Sequence, residues 1–168
     1  MAGAALSATF LAACNPTYNW RDYSSPDAPY RVMFPAKPVT HTRPVDLNGM
    51  QVDMTMTAAE VEGVTFAVGT GLAPDPARAQ AALGEMRSAL VRNLGATVQS
   101  EAAAAPNGDQ AGGSIDVDVL GSANGQPMKL RGHFAAKGNR FYQVIVVGKE
   151  KAVAAEQADQ FISSFKLL

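Results

Sequence analysis

Asn124-Gly125 is the pair of residues that most restricts what this chain can fold into. Before it, Ile115, Val117 and Val119 alternate with Asp116 and Asp118. After it, Met128, Leu130 and Phe134 alternate with Lys129, Arg131 and His133. Period two on both sides reads as strands with one buried face. Asn-Gly accepts the positive φ that a two-residue hairpin turn demands at both central positions. Closing that hairpin sets a register: Asp118 falls opposite Arg131, Asp116 opposite His133, Ile115 opposite Phe134 and Val119 opposite Leu130. An antiparallel sheet is therefore expected. Asp116, Asp118, Lys129, Arg131 and His133 would share one face of it, the only concentrated polar constellation in the sequence. As a solvated face, its cross-strand ion pairs contribute about 0.2–1 kcal/mol each. As a functional face, it would be a polar patch for a partner or a metal. The solvated face is the expectation, and the patch is the candidate site.

Other segments repeat the pattern. Tyr30 to Phe34 is a short apolar run halted by Pro35 and Pro38, which suits a short or edge strand. Met50 to Ala58 alternates cleanly, with Met50, Val52, Met54, Met56 and Ala58 on one face. Glu60 to Gly63 reads as a turn, and Val64, Phe66 and Val68 as the return strand. Three methionines in one stripe offer the soft thioethers that copper accepts. They also simply occupy inward positions, so a core stripe is expected. Asp75 then caps a helix with Pro76 at its first position. Ala79, Leu83, Met86, Leu90 and Leu94 form its apolar stripe, and Gly95 supplies the left-handed stop. Ala96 to Glu101 reads as extended, Ala102 to Ala105 is ambiguous, and Pro106-Asn107-Gly108-Asp109 reads as a turn. Phe141 to Val147 is apolar on both faces and belongs in the middle of a sheet. Ala152 to Phe165 reads as a closing helix with Val153, Phe161, Ile162 and Phe165 inward.

Composition removes several functions. The 168 residues carry 14 basic and 15 acidic side chains for a formal charge of −1, so no cationic excess exists to neutralise phosphates. Nucleic acid is not an expected partner. One cysteine permits no internal disulfide and no multi-cysteine metal site. His41 and His133 stand too far apart for a local metal motif. Gly69-Thr70-Gly71 runs on into Leu-Ala-Pro, so no phosphate-cradling loop is present, and no Gly-x-Ser-x-Gly elbow occurs. His41, in Thr-His-Thr-Arg between proline-rich segments, reads as a surface side chain. No catalytic residue, cofactor or metal is expected, and the chain is not expected to be an enzyme.

The beginning of the chain carries a different signal. Residues 1–13 hold no charge and are mostly Ala, Leu and Phe. That run is shorter than the roughly 20 apolar residues a spanning helix needs, and it matches the apolar core of an export signal. The positive segment that ordinarily precedes such a core is missing, which leaves either a start upstream of Met1 or a lost leader. Leu11-Ala12-Ala13-Cys14 resembles the lipobox of bacterial lipoproteins, where cleavage precedes an acylated cysteine. The resemblance implies Cys14 as a lipid anchor to the membrane, and Asn15 after it resembles lipoproteins sent to the outer membrane. Residues 15–29 are rich in Pro, Ser, Asn and Asp and read as a tether that ends by docking Trp20 or Tyr23.

The runs Tyr30–Val39, the hairpin, an alanine-rich helix ending Leu94-Gly95, Asn107-Gly108, Arg140–Val144 and Phe161–Phe165 follow one another in an order that resembles the PsbP-like proteins. The resemblance covers residues 30–168. It implies an α+β single domain in which an antiparallel sheet is flanked by α-helices on both sides, an α/β/α sandwich. The expected organisation is a signal remnant at 1–13, a lipidated tether at 14–29 and the domain at 30–168. Known members are non-enzymatic, an accessory subunit of photosystem II and a small GTPase-binding protein, and give no residue motif that matches here. The expected function is an anchored binding or accessory domain for another, unidentified cell-envelope component, on the outer membrane and facing the periplasm. The alternative is a periplasmic enzyme or small-ligand binder that uses a cleft between sheet and helix.

Overall fold

Asn124 and Gly125 take φ values of 51° and 74°, and the turn they make joins two strands in the register that the alternation requires. The computed structural model describes residues 16–104 and 112–168. Cys14, the apolar start and the turn expected at 106–109 lie outside the described residues. In chain order the elements are β1 (Arg21–Ser24), β2 (Tyr30–Phe34), β3 (Val39–Leu47), β4 (Met50–Val61), β5 (Val64–Leu72) and α1 (Pro76–Asn93). Then come β6 (Thr97–Ala104), β7 (Ser114–Ala123), β8 (Gln126–Lys137), β9 (Arg140–Lys149), α2 (Ala155–Ser164) and β10 (Lys166–Leu167).

Two antiparallel sheets result. The larger has seven strands in the order β3-β4-β5-β9-β8-β7-β6, and the smaller has three, β1-β2-β10. Strands β3 to β5 meander to the middle of the large sheet, and α1 carries the chain across to its far edge. Strands β6 to β9 then meander back, so that β9 pairs with β5. The strand apolar on both faces is thus the fourth of seven, as its sequence requires.

Each face of the large sheet has its own core. On one side lies α1. Asp75 caps it, its carboxylate accepting from the Arg78 backbone N–H at 2.8 Å. At the other end the Gly95 and Ala96 N–H groups donate to the Arg92 and Val91 carbonyls, with Gly95 at φ 53°. That is the paired closure a left-handed glycine makes possible. Ala79, Ala82, Leu83 and Met86 are buried against Val117, Val119, Leu130, Phe134 and Phe141. Leu90 and Leu94 are only half-buried, so the inner stripe of the helix loosens toward its end.

On the opposite side, Tyr30, Val32 and Phe34 of β2 pack with Phe161 of α2 onto Val64, Phe66 and Val68 of β5 and Tyr142, Val144 and Val146 of β9. Strand β4 serves both cores. Val52 and Met54 face α1, whereas Ala59 and Val61 face the small sheet. The clean alternation from Met50 therefore describes only its first half.

The expected sheet flanked by α-helices on both sides is corrected. The described chain is mostly β, with two antiparallel sheets of three and seven strands and only two helices among the described residues. One helix, α1, covers one face, and a second sheet with α2 beside it covers the other. The physical reason is that β1 and β3 bury little. Arg21–Ser24 has exposed or half-buried residues only, and Val39–Leu47 is exposed along most of its length at a sheet edge, where Pro44 is tolerated. Neither has an apolar alternation to read. Residues 16–29 hold β1 and several docked aromatic rings, Trp20 and Tyr23 among them. Tyr18 stacks on Trp20 at 6.0 Å, both meet Phe66 edge-on, and Tyr23 packs against Tyr30 and Phe34.

Burial pushes the Tyr30 and Tyr142 hydroxyls above their ordinary pKa. In the unfolded chain a tyrosine ionises near pH 10, while in the fold these two stay neutral. The unfolded state then binds fewer protons, so stability is fully present below about pH 10 and falls as the pH rises beyond it. Urea midpoints measured from about pH 8 to about pH 11 should decline at the alkaline end. The double variant Tyr30→Phe, Tyr142→Phe should decline less. A wild-type midpoint that stays flat would contradict the burial of both hydroxyls.

Candidate functional site

The hairpin brings all five polar candidates to one face. Asp116 is the cross-strand partner of His133, and Asp118 that of Arg131. Ile115 faces Phe134 and Val119 faces Leu130, again as the turn requires. On the next strand His133 is paired with Val144 and Arg131 with Val146. The polar face is therefore the continuation of the face that α2 and the small sheet cover. It begins where that cover ends.

The charges largely answer one another. Asp116 Oδ1 lies 2.7 Å from His133 Nδ1. Asp118 stands 3.9 Å from both Lys129 Nζ and Arg131 Nε, and its Oδ1 is shut off from solvent without a hydrogen bond. Arg131 also donates through Nη1 to Asp159 of α2. Asp159 had no signal in the sequence, since a pair 28 positions apart follows from the docking of α2 and not from any local spacing. The His133 ring lies 6.1 Å from that of Phe165, beside the same helix. Three carboxylates, two permanent cations and a histidine thus form a nearly self-neutralising network that fastens α2 to β8. Among the described residues no group of three or more His, Cys, Asp or Glu is arranged to hold a metal ion.

His41 is exposed on the edge strand β3, opposite Met56. A shallow groove of about 290 Å³ lies between α1 and the β3–β4 turn. Leu47, Met50, Ala81 and Ala82 line it together with Asn48, Arg78 and Glu85. Asn48 donates to Glu85 there at 3.3 Å. Among the described residues no helix is long and apolar enough to cross a membrane.

No protein-family profile and no curated protein matches the chain. A solved structure does. Cyanobacterial PsbP (CyanoP) from Synechocystis sp. PCC 6803, determined in solution, superposes with a TM-score of 0.52 over 93% of this chain and 96% of that one. The chain has a PsbP-like fold. Identity over the match is 13%, so the likeness is one of fold alone. No site residue passes from CyanoP to the PsbP-like domain described here.

Proposed function

We propose that this PsbP-like domain is a non-enzymatic accessory domain of the bacterial cell envelope. In this reading it is anchored through an acylated Cys14, faces the periplasm from the outer membrane and binds another envelope component. The observation that carries it is Leu11-Ala12-Ala13-Cys14, directly after an apolar, uncharged run and directly before polar residues. Several acyl chains on one cysteine give stable membrane attachment, each buried methylene contributing about 0.8 kcal/mol. The open polar face of β7 and β8 is the surface offered to a partner. A partner there has to compete with the Arg131–Asp159 and His133–Asp116 pairs, which favours one that brings both signs of charge.

The test is expression of the precursor behind a complete export leader, with membrane fractionation and intact-mass measurement. Wild type should partition with membranes and carry lipid mass on a chain that begins at Cys14. Cys14→Ser should lose both and keep the same far-ultraviolet circular dichroism, because position 14 precedes every packed residue described. Mature wild type without lipid mass, or Cys14→Ser as membrane-bound as wild type, would defeat the proposal. The second reading, a periplasmic enzyme or small-ligand binder, is favoured by the groove beside α1, which places Arg78 and Glu85 next to apolar Leu47 and Met50.

A further inference from the structure

The stripe of methionines on β4 does not behave as one piece of core. Met54 is buried, whereas Met50 and Met56 are only half-buried. Met54 and Met56 both bend toward Gly69 on β5. A Cβ at residue 69 would stand 2.5 Å from the Met56 Sδ and 2.6 Å from the Met54 Cε. The two thioether ends therefore meet in space that only a glycine leaves open.

Two more polar groups belong to this spot. Met56 is the cross-strand partner of Gly69 on one side and of His41 on the other, so the His41 imidazole rises from the same face. Gly69 is in turn the partner of Gln143 on β9. Gln143 is 7% exposed, and its amide nitrogen donates to Met56 Sδ at 3.5 Å. A buried amide that donates to a thioether marks this sulfur as a polar element, not packing alone. His41 is exposed and Met56 half-exposed, so an ion in solution can reach both.

The donor chemistry then decides which ion. The cross-strand pairs around the two thioethers are Val52 with Val45, Met54 with Arg43, Met56 with His41 and Ala58 with Val39, with no carboxylate among them. The nearest carboxylate on this face of β4 is Glu60, four residues from Met56 and on the order of 13 Å away. Neutral sulfur and imidazole donors without anionic oxygen disfavour calcium and magnesium and suit a soft monovalent ion. The long, unbranched methionine side chains can adjust to it. We propose that Met54, Met56 and His41 form a cuprous-ion site, with Gly69 as the residue that lets the two thioethers converge.

The test uses the full chain carrying Cys14→Ser, because a free thiol would take the same ion. Cu(I) is supplied anaerobically in competition with a chromogenic chelator, and Met methyl resonances are followed by NMR. One equivalent should be retained, with the Met54 and Met56 methyl signals moving most. Met54→Leu and Met56→Leu conserve volume and should each weaken binding by about tenfold or more, as should His41→Ala. Gly69→Ala should weaken it without removing a donor, and Met128→Leu should leave it unchanged. Circular dichroism confirms that each variant is folded. Failure to retain Cu(I), retention undiminished in folded Met56→Leu, or Ca(II) moving the same methyl signals would overturn the proposal.

Discussion

Leu83→Asp is expected to abolish the native state. Leu83 is fully buried between α1 and the large sheet, among Val117, Phe134 and Phe141. Losing its packing costs about 2–5 kcal/mol. Burying a carboxylate with no partner adds further cost, by charge or by forced protonation. The sum approaches the whole stability of an ordinary domain, about 5–15 kcal/mol. The variant should lose its cooperative thermal transition when followed by circular dichroism. Leu90→Asp, on the same stripe but half-buried, should retain a transition at lower temperature. A wild-type melt for Leu83→Asp would mean that α1 does not pack as described.

On the other face, Phe161→Ala should cost about 3–5 kcal/mol. Phe161 is fully buried, with its ring 5.3 Å from that of Phe34 and 5.4 Å from that of Phe66. It is the side chain through which α2, the small sheet and the large sheet meet. Urea unfolding should show the midpoint fall at nearly constant slope, since a cavity changes stability more than the surface exposed on unfolding. A shift under about 1 kcal/mol would mean that α2 is not seated on this core.

What could be read from the sequence divides along a physical line. Where local chemistry decides the structure, the residues were sufficient. Asn124-Gly125 dictates a turn, the turn dictates a register, and the register places Asp116 at His133 and Asp118 at Arg131. Asp75-Pro76 and Gly95 bound α1 for equally local reasons. Where an element exists because of what it docks against, the sequence was silent. Strand β1 is held by pairing with β2, and its residues Arg21, Asp22, Tyr23 and Ser24 resemble a loop. Strand β3 bears Pro44 and mostly exposed side chains, because an edge strand needs only one neighbour. Of these two only β1 belongs to the small sheet, and with the two-residue β10 equally silent that sheet was hidden, so the helices implied by the resemblance stood as the expected cover for that face. The polar face was legible as a set of residues, but its anchor to α2 through Asp159 was not.

The docked rings near the beginning of the chain bear on how the domain would sit if Cys14 carries lipid. Tyr18 already lies on Trp20 and Phe66, so only Asn15, Pro16 and Thr17 separate Cys14 from packed structure. So few residues, fully extended, span on the order of 10 Å. A flexible leash of the length first expected would reach about 20 Å. The domain would then be moored, not floating, with Tyr18 and Trp20 at the depth of the headgroups, where such rings are favoured. Mooring of this kind changes the search problem for a partner. A component embedded in the same membrane would find the domain by drifting sideways at a fixed height. A component free in the periplasm would meet a target already shielded on one side.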